Sequence, residues 1–262
     1  MVNVTPDSFF DAGVNYRPDD AIAAARRMIG EGAALVDVGG ESTRPGSEGV
    51  SVDEELRRVV PVLEAVAGEL PVSIDTSKAA VAQRALELGA VLVNDVTALR
   101  ADPELVHVVA EARAYLCLMH MRGEPRTMQI DPRYDDVVSE VASFLEERLR
   151  FATSAGVRED RICVDPGIGF GKTVEHNLEL VARLGEIAAL GRPVLVGASR
   201  KRFLGRILGD PDALTGPLSA GVAVAVVAYT RGASLFRVHE AREHVEALAA
   251  AAAVERAGPR AS

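Results

Sequence analysis

The stretch Ala34-Leu-Val-Asp-Val-Gly-Gly-Glu41 shows the pattern that decides the fold. A short apolar run ends in polar residues beside a glycine pair. A segment with the apolar spacing of a helix follows at residues 56–66, opened by Ser51 and Glu54 at the spacing of a capping box. Near-continuous apolar runs of this kind are typical of strands that are buried on both faces.

The same pattern of an apolar run, polar residues and a helical segment occurs six more times along the chain. These further runs begin at Val72, Val91, Tyr115, Ile162, Val194 and Leu235. The alternation predicts parallel strands joined by right-handed crossovers, in either a closed barrel or a doubly wound sheet. Polar residues at nearly every strand end favour the barrel, because a doubly wound sheet concentrates its site at one switch point.

A (β/α)8 TIM barrel has eight strands, so the seven copies of the pattern leave one strand to be located. Met1-Val-Asn-Val4 could supply only the tail of strand 1, because a strand of this kind has about five residues. We therefore predict an α/β barrel whose first strand is truncated. A chain of 262 residues fits one such domain, which we place at residues 1–250, and we predict a disordered tail at 251–262.

Composition limits the binding partners and the cellular compartment that the sequence favours. The formal net charge of -9 argues against a broad nucleic-acid surface, so an anionic ligand must be met by local cations. The apolar stretches at 222–229 and 247–254 are shorter than a membrane span of about 20 residues, and no leader pattern opens the chain. We predict a cytoplasmic protein without membrane contact, with Cys117 and Cys163 as buried structural thiols.

Two carboxylates and one amide stand at predicted strand ends. Asp75 and Asp165 each follow an apolar run, where a lone carboxylate is costly unless a partner or ligand binds it. Asn94 can donate and accept at once, which suits a heterocycle with mixed edges, and its neighbour Asp95 could orient it. The alternatives are helix capping for Asp75 and a turn position for Asn94.

Cations follow other predicted strands. Lys201, in Ser199-Arg-Lys201, could pair with a ligand carbonyl, although a solvated charge run is the alternative. Arg44, Arg237 and His239 supply separated cations that would suit phosphate or pyrophosphate. The glycine-rich segment 167–172 has neither the Walker nor the dinucleotide spacing, and no cluster has zinc spacing.

Six motifs in family order make the chain resemble the dihydropteroate synthases from residue 2 to about 250. They are Asn3–Phe9, Asp37–Gly46, Ser73–Thr76, Leu118–Met121, Asp165–Lys172 and Ser199–Lys201. The resemblance implies that 7,8-dihydropterin pyrophosphate and 4-aminobenzoate condense to dihydropteroate and pyrophosphate, with Mg²⁺, in folate synthesis.

The resemblance also implies roles for individual residues. Those implied to hold the pterin are Asp75, Asn94, Asp165 and Lys201, with Met119 and Phe170 beside it. Those implied to engage pyrophosphate and its metal are Asn3, Arg44, Arg237 and His239, with Asn3 as the metal ligand. Those implied to border 4-aminobenzoate are Thr43, Pro45 and Ser199. Asp7 lies in the first of two loops, 3–15 and 41–49, that we expect to close over pyrophosphate.

A transfer of this kind needs no strong general base. Departure of pyrophosphate leaves a cation at the pterin methylene, which the neutral aromatic amine captures, so catalysis rests on leaving-group stabilisation and positioning. The resemblance further implies a homodimer. Phe9 and Pro45 are the residue types that it associates with sulfonamide sensitivity, which we therefore predict.

Three other readings compete with this one. A methyltetrahydrofolate-binding methyltransferase would lack the pyrophosphate loops. A catalytically silent pterin-binding paralogue would lose Arg44, the Ser-Arg-Lys motif or the Asn-Val-Thr-Pro-Asp motif, and all three are present. A Schiff-base aldolase would place its lysine within a strand, whereas Lys201 follows one.

Overall fold

The computed structural model describes residues 1–5, 17–43, 47 and 49–258. Within them the strands run as one parallel sheet in sequence order from β1 to β8. The strands are β1 Val2–Asn3, β2 Val36–Gly39, β3 Val72–Asp75, β4 Leu92–Asp95, β5 Tyr115–Met119, β6 Ile162–Asp165, β7 Val194–Val196 and β8 Ala233–Phe236. A doubly wound sheet would reverse its strand order, so the (β/α)8 prediction is confirmed.

Helices fill the crossovers between these strands. They are α1 Pro18–Gly30, α2 Val52–Val66, α3 Ala79–Glu87, α4 Leu105–Ala112, α5 Val137–Ser154, α6 Val174–Ala182, α7 Leu184–Ala188, α8 Arg202–Arg206, α9 Leu218–Thr230 and α10 Ala241–Arg256. The Ser51 hydroxyl caps α2 by accepting from the Glu54 amide at 3.2 Å, while the Glu54 carboxylate pairs with Arg57 and Arg58. No described helix is long and apolar enough to cross a membrane.

The first strand is short, as predicted. It pairs with β2 through Val2 opposite Val38 and Asn3 opposite Gly39. On its other side the Met1 amino group donates to the Val238 carbonyl at 2.9 Å, which ties the start of β1 to the residues after β8. This bond joins the two ends of the sheet in the described part of the chain.

The boundary predicted at residue 250 is wrong. Helix α10 continues from Ala241 to Arg256, because a run of alanines has the highest intrinsic helix propensity. Helical order therefore extends six residues past that boundary, and residues 259–262 lie outside the described part.

Strand register sets the height of the site. Asn3 lies opposite Gly39, Gly39 opposite Asp75, Asp75 opposite Asn94, and Asn94 opposite Cys117. Neighbouring strands are about 4.8 Å apart, so these residues form one level of the barrel. Cys117 and Cys163 are free, buried and opposite each other one step further round, as inert thiols were predicted to be.

Candidate active site

Three polar side chains are buried at the carboxyl ends of their strands. Asp75 ends β3, Asn94 is the second-last residue of β4, and Asp165 ends β6, each at most 7% exposed. A barrel brings these strand ends to one face, where active sites of such barrels lie. The sequence prediction that these residues share one mouth is consistent with this arrangement.

Asp75 binds a cation rather than capping a helix. Its Oδ2 accepts from Arg237 Nη2 at 2.6 Å, and Asp37 Oδ2 accepts from Arg237 Nε at 2.5 Å. Helix α3 is capped instead by Asp102, which accepts from the Ala79 amide at 2.8 Å. The capping alternative for Asp75 is therefore wrong.

Burial dominates the protonation of Asp75. It raises the pKa of the carboxyl to about 7, although the Arg237 guanidinium opposes the rise. The neighbouring carboxylate of Asp37 adds to the rise. Two acids therefore share one guanidinium, and burial holds the pKa of Asp75 above that of a free aspartate.

Asp165 is held mainly by backbone. Its Oδ1 accepts from the Gly167 amide at 2.7 Å. Burial raises the pKa of this carboxyl to about 6, against the hydrogen bond from Gly167 and the charges of Lys201 and Lys172. Asp165 and Asp75 thus give the site two carboxyl groups that can accept hydrogen bonds from a ligand with several N–H donors.

The glycine-rich loop after β6 requires its glycines. Gly167 and Gly171 have φ of +68° and +64°, and a Cβ at either one would overlap the backbone carbonyl of His120 or Arg122. The Gly169 amide donates to the side-chain oxygen of Asn177 at 2.6 Å. The loop therefore packs closely against residues 120–122, which follow β5. Its glycines do not have the Walker or dinucleotide spacing.

Phe170 and Lys201 meet within this loop region. Lys201 Nζ lies 4.0 Å from the centroid of the Phe170 ring, a cation–π arrangement. Phe170 also packs against a buried cluster that contains Met119 and Met121. Met119 and Phe170 thus lie together, as the resemblance implied.

Lys172 was missed by the sequence analysis. It is 3% exposed, and its Nζ lies 2.9 Å from His120 Nδ1 and donates to the Phe170 carbonyl at 3.0 Å. Burial lowers the pKa of Lys172 to about 7 and that of His120 to about 2. His120 is therefore neutral and accepts a hydrogen bond from Lys172. The position of His120 directly after β5 was the sequence signal that could have pointed to this pair.

The far side of the site is built around Ser199. Its Oγ lies 3.0 Å from His239 Nδ1, and the His239 amide donates to the same oxygen at 3.3 Å. Arg200 donates to Glu240 at 2.6 Å, so this arginine is neutralised at its Nε. Ser199 therefore sets the position of His239, a residue that the resemblance places at pyrophosphate.

One cavity of about 280 Å³ opens over these groups. Eight of the predicted residues line it, namely Asn3, Thr43, Asp75, Phe170, Ser199, Lys201, Arg237 and His239. Asn94, Met119 and Asp165 are not in its lining and are buried. The predicted orienting role of Asp95 is wrong, because its carboxylate accepts from the Thr97 and Leu99 amides instead.

Asn3 lies beside Asp75 at the level set by the register. A Cβ built on Gly39 would lie 3.3 Å from Asp75 Cβ, a tight contact, and 3.7 Å from Asn3 Oδ1. The glycine at this position leaves room for both side chains. The predicted residues Asp7, Arg44 and Pro45, and also Phe9, lie outside the described residues.

Comparison with known proteins agrees with this geometry. The family described as pterin binding enzyme matches residues 1–239, and the chain belongs to that family. The dihydropteroate synthase of Escherichia coli K12 is 45% identical over 252 residues, which cover 95% of this chain and 88% of that protein. Within the pterin binding enzymes, the chain therefore belongs with the dihydropteroate synthases.

Solved structures give the same result. A Yersinia pestis dihydropteroate synthase, in a sulfonamide drug complex, superposes with a TM-score of 0.92 at 42% identity, covering 97% of this chain and 92% of that one. A Xanthomonas albilineans dihydropteroate synthase with 4-aminobenzoic acid gives 0.88 at 45% identity, covering 97% and 91%. The family predicted from the motifs is confirmed.

Proposed function

We propose that this chain condenses 7,8-dihydropterin pyrophosphate with 4-aminobenzoate to give 7,8-dihydropteroate and pyrophosphate. The observation that carries the proposal is the meeting of buried acceptors with cations at one barrel mouth. Asp75 lines the cavity together with Lys201, Arg237 and His239, and Asp165 is buried at the end of β6 beneath this face of the barrel. The reaction is a step of folate synthesis.

Recognition of the pterin follows from donor and acceptor chemistry. The amino-pyrimidine edge of a pterin presents N–H donors, which Asp75 and Asp165 can accept, while Asn94 can meet a mixed edge. Lys201 can donate to the pterin carbonyl as a point charge. Phe170 supplies an apolar surface for the ring from the cavity lining, and Met119 packs behind it in one cluster.

Pyrophosphate needs donors at the cavity mouth. Arg237 offers a planar fork that suits phosphate oxygens, and His239 is held beside it by Ser199. The chain as a whole has a net charge of -9, so these local cations oppose the general field of the protein. Their place in the lining agrees with a site for an anionic leaving group.

The reaction exchanges one bond for another at the pterin methylene. The bond from the methylene carbon to the pyrophosphate oxygen breaks, and the leaving group takes the electron pair. The lone pair of the aminobenzoate nitrogen then forms the new C–N bond, and this nitrogen releases one proton to solvent. Arg237 and His239 stabilise charge on the leaving group, and Thr43 and Ser199 border the amine, so the barrier falls through electrostatics and positioning.

Magnesium is part of the proposal. The described residues contain no group of three or more histidines, cysteines or carboxylates that could hold a metal. Mg²⁺ often binds through one or two protein oxygens together with phosphate oxygens and waters, and the Asn3 amide oxygen in the cavity fits that mode. When bound there, Mg²⁺ would neutralise charge on the pyrophosphate.

The test is pyrophosphate release from 7,8-dihydropterin pyrophosphate, measured with and without 4-aminobenzoate and with Mg²⁺ or chelator. We expect release coupled to the appearance of dihydropteroate, and its loss when the metal is chelated. Pterin binding without product in the presence of Mg²⁺ would identify a silent paralogue and overturn the proposal.

We further propose that the chain forms a homodimer through α9. Along this helix the residues are almost all apolar, and Val227 is 44% exposed. A helix that is apolar on every face is normally buried. Light scattering after size exclusion should give twice the chain mass, and Val227→Asp should give the single mass. Val254→Asp, at a position 73% exposed near the end of α10, is the control that should leave the dimer intact.

Sulfonamide sensitivity is also proposed, from the resemblance at Phe9 and Pro45. Sulfonamides mimic 4-aminobenzoate, so inhibition should be competitive with that substrate and weakened by raising its concentration. Full turnover at sulfonamide concentrations far above those of 4-aminobenzoate would contradict the proposal.

A further inference from the structure

Three charged side chains meet beside the loop after β2. They are Glu41 from that loop, Glu55 from α2, and Lys78, which directly precedes α3. Lys78 Nζ donates to Glu55 Oε2 at 2.5 Å and also pairs with Glu41 Oε2. Glu41 lines the cavity together with Ser42 and Thr43. We propose that Lys78 is a positioning residue: through Glu41 it fixes the segment 40–43 that forms the wall of the cavity beside 4-aminobenzoate.

The Lys78–Glu55 pair is the fixed part of this cluster. Glu55 is completely buried in α2, and its Oε1 has no hydrogen-bond partner among the described residues. A buried carboxylate depends on its counter-ion, since removal of one partner leaves an uncompensated charge. Burial opposes the charge of Lys78, but its hydrogen bonds to Glu41 and Glu55 outweigh this and raise the pKa, so the ammonium stays charged.

Glu41 is the loop residue of this cluster. Its side chain is 25% exposed, and it belongs to the loop rather than to a helix or strand. Next to it, the Gly40 carbonyl accepts from Arg58 Nη1 at 2.8 Å, and a Cβ at Gly40 would come within 3.0 Å of atoms of Val59 and Glu55. Contacts that hold the segment thus include one through the Gly40 backbone and one through Lys78.

These contacts predict a separation between the two substrates. The acceptors for the pterin, Asp75 and Asp165, end strands of the barrel and are buried in it. Segment 40–43, which includes Thr43, instead forms a loop at the wall of the cavity. Loss of the Glu41–Lys78 bond should therefore weaken use of 4-aminobenzoate and leave pterin binding nearly unchanged. This part of the inference rests on the proposed function, whereas the anchoring of the segment does not.

The experiment combines hydrogen exchange with kinetics on the whole chain of 262 residues. Glu41→Ala removes the loop end of the cluster and leaves the Lys78–Glu55 pair, so it should fold. Lys78→Met and the double variant complete a cycle. Arg84→Met is the matched control, because it removes a nearby cation in α3, the helix that begins after Lys78, and this cation pairs with exposed glutamates.

We expect amide exchange in segment 40–43 to be about tenfold faster in Glu41→Ala and Lys78→Met than in wild type or the Arg84 control. The KM for 4-aminobenzoate should rise about tenfold, with affinity for 7,8-dihydropterin pyrophosphate within about twofold. The double variant should equal Lys78→Met in both measurements, because Glu41 acts through Lys78.

Wild-type exchange rates in Glu41→Ala would overturn the anchoring, whether or not the protein turns over. Additive effects in the double variant, or equal losses for both substrates, would overturn the positioning role. If Lys78→Met fails to fold, Glu41→Ala alone decides. A wild type that makes no dihydropteroate defeats the proposed function, and the exchange result still decides whether Lys78 holds the segment.

Discussion

Asp165→Asn should make the free protein more stable while it removes pterin binding. Asp165 is 6% exposed and receives one strong backbone hydrogen bond, from Gly167 at 2.7 Å. An asparagine oxygen can accept that bond without a charge to bury. The carboxylate is therefore kept at a cost to stability, which we attribute to its task of accepting N–H donors from the ligand.

The size of this effect follows from the pKa of Asp165. Burial raises it from 3.8 to about 6. Between these values the folded protein holds a proton that the unfolded chain has released, so the free energy of unfolding falls as the pH rises through the window from about 4 to 6. At about 1.4 kcal/mol per pKa unit, the ionised carboxylate lowers the free energy of unfolding by about 3 kcal/mol above pH 7.

The assay is urea unfolding of wild type and Asp165→Asn at pH 4, 6 and 8. We expect equal stability at pH 4 and an advantage of about 3 kcal/mol for the variant at pH 8, which corresponds to a melting point about 6–12 °C higher. Asp160→Asn is the control, because Asp160 is an exposed partner of Arg158 and should change little. A variant that is less stable than wild type at pH 8 would refute the reasoning.

Three further outcomes are expected. Gly167→Ala should abolish turnover and lower the melting point sharply, because the methyl group would overlap the His120 carbonyl at a φ of +68°; normal melting with full turnover would show that the loop can adapt. Lys172→Met should remove a rise in stability from pH 7 to 10 that wild type shows, since burial lowers the pKa of Lys172 from 10.5 to about 7 and the charged form is the disfavoured one; parallel urea titrations of the two proteins would count against it. Asn177→Ala should raise the KM for the pterin substrate about tenfold by leaving the Gly169 amide without its acceptor, and steady-state kinetics with an unchanged KM would contradict this.

Much of the fold was predictable, because the strands carry two signals together. In Val72-Ser-Ile-Asp75 an apolar run and a terminal carboxylate mark both the strand and its end, and the structure places β3 at these residues. The same holds for Ile162–Asp165. Parallel order then follows from the alternation with helices, and the shared level of Asp75 and Asn94 follows from register.

The remainder depends on contacts between distant segments. A lysine in a glycine-rich stretch reads as exposed, and only the fold shows that Lys172 is buried against His120. The pairing of Arg237 with Asp37 joins residues 200 positions apart, so no local pattern indicates it. Residues 251–256 were predicted to be disordered, because an alanine-rich tail has the same composition whether it is helical or disordered.

The ion pair between Arg237 and Asp75 couples binding of the pterin ring to binding of the phosphate part of the substrate. In the free protein the Asp75 carboxylate is already bonded to Arg237, so a pterin ring must compete with a guanidinium for it. A ligand with the ring alone separates that ion pair and leaves Arg237 bonded to Asp37 through Nε but without the acceptor at Nη2. A ligand that also carries a phosphate gives the Nη2 donor of Arg237 a new acceptor, so the affinity gained from the phosphate exceeds the value of that contact alone. Inhibitors that join a pterin-like ring to an anion should therefore bind more tightly than the affinities of their two parts would suggest.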